Sequence, residues 1–94
     1  MVLQGQTRTR FSVMADYDVN TLSRILELFT IRALVCDTMS ARRTVDGFHW
    51  VELDVSDVDD HEASVLLNKI RAIITVKSAR METMVLRPKA LAAA

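Results

Sequence analysis

A chain of 94 residues leaves room for one domain and one core. Half of its residues are hydrophobic and 26% are charged, a balance that excludes a disordered segment. Twelve basic residues against twelve acidic ones disfavour a nucleic-acid binder, which depends on neutralising phosphates.

No apolar run approaches the roughly 20 residues of a membrane span. Cys36 is the only cysteine, so an intrachain disulfide or a multi-cysteine metal site is excluded. With no signal-peptide pattern either, a cytoplasmic location is the expectation. The apolar share is high for so short a chain and predicts an oligomer, with the surplus apolar surface in an interface.

Gly5, Gly47 and Pro88 are all the glycine and proline there is, so boundaries are read from periodicity and caps. Phe11, Val13 and Ala15 alternate within residues 9–15, which predicts a strand with one buried face. Asp16-Tyr17-Asp18-Val19-Asn20 reads as a turn in which Asp18 or Asn20 caps a helix. Leu22, Ile25, Leu26 and Phe29 form the apolar stripe of that helix, which ends near Arg32. A second strand is predicted over residues 33–42, and Asp46-Gly47 is a hairpin signal. Residues 48–55 form the clearest strand, with Val51, Leu53 and Val55 on one side and Phe48, Trp50, Glu52 and Asp54 on the other. Asp59 opens a second helix with Glu62 as its capping-box partner, and Ala63, Leu66, Leu67 and Ile70 are its stripe. The β-branched run over residues 73–81 predicts the last strand.

The order βαββαβ predicts an α+β, ferredoxin-like sandwich: a four-stranded antiparallel sheet with two helices on one face. Residues 1–8 read as an N-terminal extension, 9–82 as the domain and 83–94 as a C-terminal tail.

The residues hold no recognisable catalytic set. There is no glycine-rich loop, and His49 and His61 lie on different elements without metal-ligand spacing. Cys36 has no nearby histidine to activate it and reads as a small core residue. No catalytic residue and no metal ligand is assigned. The suggestive segment is the turn at residues 16–20, because a helix start offers N–H groups that favour an anion such as an amino-acid carboxylate. The candidate ligand residues are Asp18, Asn20, Thr21 and Leu22.

Asp18-Val19-Asn20-Thr21-Leu22-Ser23-Arg24-Ile25 resembles the opening of ACT domains, where an acidic residue, often Pro-Gly, then Leu introduce the first helix. Leu28-Phe29, Val35-Cys36, Val51-Glu52-Leu53, Leu67-Asn68-Lys69-Ile70 and Ile74-Thr75-Val76 are similar to the small regulatory subunit of acetohydroxyacid (acetolactate) synthase. The resemblance spans about residues 9–82. It implies a homodimer of ACT domains, not itself an enzyme, that docks on a large catalytic subunit in branched-chain amino-acid biosynthesis. Thiamine diphosphate, Mg²⁺ and FAD would belong to that partner, with no cofactor in this chain. A branched-chain amino acid, valine above all, would bind at the dimer interface. Val35, Phe48 and Trp50 are the candidate interface residues.

The chain departs from the family's pattern at four places. The family's proline and glycine fall at Val19 and Asn20, and a side chain at Asn20 crowds a ligand. Positions that often carry Asn in valine-sensitive relatives are Tyr17 and Val35, so a weak valine response is expected.

Two alternatives remain open. One is a free-standing ACT protein that senses another amino acid. The other is an RNA-recognition motif, since Asp46-Gly47-Phe48-His49-Trp50-Val51-Glu52-Leu53 resembles that family's third strand. The acidic Asp46, and Ser12 and Met14 in place of an outward aromatic, weigh against RNA.

Overall fold

The structure, a computed structural model, describes residues 7–86. Its elements are β1 (Thr7–Asp16), α1 (Thr21–Ile31), β2 (Thr38–Arg43), β3 (Phe48–Ser56), α2 (Asp60–Arg71) and β4 (Val76–Val85). The four strands form one antiparallel sheet in the order β2-β3-β1-β4, the ferredoxin-like arrangement.

The alternation in β1 and β3 does what its period demands. Phe11 pairs with Leu53 and Val13 with Val51, and all four are fully buried beneath the helices. Helix α1 contributes Ile25 and Phe29, and α2 contributes Ala63, Leu66, Leu67 and Ile70. Leu22 and Leu26 are only half-buried and pack at the margin of this core.

Several strand boundaries differ from the sequence reading. The second strand starts at Thr38 rather than at residue 33, because α1 ends in a reverse turn that takes up the intervening chain. Ala33 sits at φ 55, its N–H bonds the Thr30 carbonyl at 3.0 Å, and the Leu34 N–H bonds the Phe29 carbonyl at 2.9 Å. These two bonds make a Schellman cap. The end of α1 itself falls where expected, near Arg32; alanine at the left-handed position, where glycine is usual, gave no sign of the turn before β2. The last strand starts at Val76 rather than at residue 73: Ile73 to Thr75 turn after α2, with the Val76 N–H on the Ile73 carbonyl. β1 and β4 also run further than their patterning suggests, taking Thr7, Arg8 and residues 83–85 into the sheet. Of the expected extension and tail, residues 1–6 and 87–94 lie outside the described residues.

The Asp46-Gly47 signal forms the β2–β3 hairpin, with Gly47 at φ 87 and the Thr44 N–H on the Phe48 carbonyl at 2.8 Å. The two helix starts are built differently. Asp59 accepts from the Glu62 N–H at 2.8 Å, whereas Asn20 makes no side-chain cap bond. Glu62 turns to Arg32 of the other helix, at 3.7 Å, so half of the expected capping box forms. Asp59→Ala should therefore cost about 1 kcal/mol, and Asn20→Ala only a few tenths. Urea denaturation of both variants checks this; equal losses would refute the difference in capping.

Candidate functional site

The end of the sheet at which β1 finishes gathers three connections: residues 17–20 before α1, the hairpin at 44–47, and residues 72–75 after α2. Hydrogen bonds fasten the first to the third. The Asp16 N–H donates to the Thr75 carbonyl at 2.7 Å, and the Thr21 hydroxyl lies 2.8 Å from Thr75 Oγ1. Lys77 is the extra residue where the β1–β4 register shifts, and its Nζ lies 3.5 Å from Asp16.

The expected ligand residues are brought together here, in a different role from the one a free helix start would give them. The Asp18 carboxylate accepts from the Asn20 N–H at 2.8 Å, and the Asp18 carbonyl accepts from the Thr21 N–H at 3.1 Å. An acidic side chain of the protein thus already fills part of the anion site that the dipole favours. Thr21 is fully buried with its hydroxyl held by Thr75, so its side chain is structural. Asn20 has right-handed backbone, φ −89 and ψ −13, so the loss of the family's glycine imposes no strain.

Two cavities flank Asp18. One of about 250 Å³ lies between Asn20, Arg24 and the turn Ile73-Ile74-Thr75. The other, about 340 Å³, is lined by Tyr17, Val19, Leu22 and His49. The Tyr17 ring meets His49 edge-on at 5.2 Å, and the Arg43 guanidinium lies 4.9 Å from the Tyr17 ring centre. His49 Nδ1 is buried without a hydrogen-bond partner among the described residues. Sequence reasoning missed His49 and Arg43, which meet only because β2 and β3 pair them. The hairpin signal at Asp46-Gly47 holds that register and was the usable clue.

Val35 does not join this end of the chain. It follows the far end of α1, 79% exposed, a helix length or roughly 16 Å from Asn20 at 1.5 Å per residue. Phe48 and Trp50 lie on the face of the sheet away from the helices, each half-buried among its neighbours. Cys36 is half-buried beside Asp37, and burial first, then the Asp37 and Asp54 charges, push its thiol pKa up. That is opposite to what a nucleophile needs. Among the described residues no three His, Cys, Asp or Glu side chains gather as a metal site, and no helix is long and apolar enough to cross a membrane.

This sheet order, with an acidic turn before the first helix, is compatible with an ACT-like domain. The chain belongs to the ACT-like domain family, whose pattern it matches over residues 3–87. No curated protein matches the sequence.

Among solved structures, the chain is similar to the ACT domain of GTP pyrophosphokinase from Chlorobium tepidum, with TM-score 0.69 and 12% identity over 80% of this chain and 96% of that one. The C-terminal domain of the MgtC protein from Mycobacterium tuberculosis gives TM-score 0.72 at 7% identity, over 89% of this chain and 94% of that one. The ligand-free regulatory subunit of aspartate kinase from Thermus thermophilus gives 0.67 at 11%, over 85% of this chain and 53% of that one. At these identities the likeness is one of fold.

Proposed function

We propose that this chain is a regulatory subunit of acetohydroxyacid (acetolactate) synthase, with no catalytic residues of its own. It dimerises and docks on a large catalytic subunit, and thiamine diphosphate, Mg²⁺ and FAD belong to that subunit. The observation that carries the reading is the placement of the two halves of its candidate site at opposite ends of α1. Strand β2 is the sheet edge beside them, and all six of its residues are exposed. Two copies joined antiparallel along β2 would bring Val35 of one chain towards Tyr17 and Asn20 of the other. A single chain leaves the site incomplete, and the exposed Val35 and Met39 supply apolar surface for the contact. Co-expression with the large subunit of the same source tests the assignment. Co-purification with raised synthase activity is expected; a chain that neither binds nor activates it is a free-standing amino-acid sensor instead.

Within this reading valine binds weakly. Tyr17 and Val35 offer no amide contacts, and the Asp18 carboxylate competes with the ligand's own for the Asn20 N–H. Each lost hydrogen-bond partner costs about 1–3 kcal/mol, so two weaken affinity by roughly a hundredfold at about 1.4 kcal/mol per factor of ten. Calorimetry with valine, leucine and isoleucine should show binding gained in the Asn20→Gly, Val35→Asn double variant. Micromolar valine binding by the unmodified chain would overturn the argument.

A further inference from the structure

We propose that the open face of the sheet holds a second small-molecule site, for a flat ring carrying one anionic head, between Trp50 and Arg80. The site is independent of the β1–α1 turn and of the regulatory reading.

Strand register places its parts. Ser12 lies opposite Arg80 on β4 and Glu52 on β3, while the next row brings together Arg42, Trp50, Met14 and Ser78. Ser12, Trp50, Ser78, Ala79 and Arg80 line a cavity of about 260 Å³. That is below the roughly 300–1,000 Å³ of drug-sized sites, and it suits a single ring.

The polar groups in this cavity are uncommitted. Ser12 is 6% exposed, yet its hydroxyl has no hydrogen-bond partner among the described residues. Its Oγ keeps some contact with solvent at the cavity, so it is free to donate to a bound acceptor there. Arg80 is exposed and has no carboxylate within ion-pair distance among the described residues. Of the carboxylates on this face, Asp54 holds Arg10 at 2.8 Å and Glu52 leans on the same arginine at 3.9 Å, while Glu82, two residues along β4 opposite Arg10, makes no ion pair with Arg80. An arginine with two flanking serine hydroxyls makes a donor set for a carboxylate or phosphate. The half-buried indole of Trp50 beside it offers a flat apolar wall on which a ring stacks.

Trp50 is the only tryptophan, so its emission reports the site directly. The probes are benzoate and phenyl phosphate, with acetate and inorganic phosphate as heads alone and benzamide as an uncharged ring. Either ring anion should change the emission saturably and bind at least tenfold tighter than head or ring alone, and the tighter of the two identifies the head. By calorimetry, Arg80→Gln should lose tenfold or more in affinity and Ser12→Ala several-fold. Lys69→Gln, which removes a cation from the helical face, should bind as the unmodified chain does. The proposal fails if no ring anion saturates, or if Arg80→Gln and Lys69→Gln behave alike. It also fails if ligand-free emission shifts blue with protein concentration, which would give this face to a second copy.

Discussion

Phe29→Ala should destabilise the fold by about 3–5 kcal/mol, the largest loss expected from any single substitution discussed for this chain. Phe29 is 2% exposed and meets Phe11 edge-on, with ring centres 5.6 Å apart at 89°. Truncation removes its transfer energy, leaves a cavity between α1 and the sheet, and ends an aromatic pair worth about 1 kcal/mol. The backbone bond from the Leu34 N–H to the Phe29 carbonyl that closes α1 is kept in the variant, so the loss reads side-chain packing alone. A chain of this size has a margin of only some 5–10 kcal/mol, and the variant should lie close to unfolding at 37 °C. Leu26→Ala is the control: Leu26 is half-buried and should cost clearly less. Thermal denaturation of both checks this; equal losses would mean that Phe29 is not the anchor of α1.

Asp54→Asn should cost about 2–3 kcal/mol at neutral pH, although Asp54 faces away from the helices. Its carboxylate accepts from Arg10 Nε at 2.8 Å, Arg10 Nη2 at 3.1 Å and the Thr38 hydroxyl at 2.9 Å. These bonds tie β1, β3 and the edge strand β2 in one row, and cover Asp54 to 2% exposure. The Arg10 hydrogen bond is the main influence holding the Asp54 pKa below its ordinary value, while burial works against it and Thr38 adds to the lowering. A carboxyl whose folded value lies below its unfolded one stabilises the protein above the unfolded value, near 3.9. That stability is lost as pH falls through the folded value. The gap between wild type and Asp54→Asn should therefore narrow as pH falls below about 4. Urea titrations at pH 7 and pH 3 read it directly, and a gap that stays constant would mean the charge contributes nothing.

Much of the architecture was legible from local order. The period-2 run Phe11, Val13, Ala15, the helical stripe Ala63, Leu66, Leu67, Ile70 and the Asp59 cap each describe one element, and each stands where its pattern put it. The Asp-Gly pair marked the hairpin for the same reason, since a tight turn is a property of adjacent residues. The starts of β2 and β4 were misread because the turns before them carry unusual residues. Alanine replaces glycine at the left-handed end of α1, and the β-branched Ile73-Ile74-Thr75 turns where composition suggested a strand.

The candidate sites were legible only in part. The turn at residues 16–20 was recognisable as a helix start, which is a local property. The Asp18 bond to the Asn20 N–H, between residues two apart, and the helix length between Asn20 and Val35 are local as well, but only the structure showed them. Pairing alone placed Arg43 and His49 beside Tyr17, Arg10 and Thr38 on Asp54, and Ser12 between Trp50 and Arg80. The physical reason is range. Periodicity and capping act over a few residues, whereas the pairing of β1 with β3 and β4 joins positions more than 30 residues apart, such as Ser12 and Arg80. The sequence by itself therefore determined the elements and their order, and the pairing of strands decided which side chains meet.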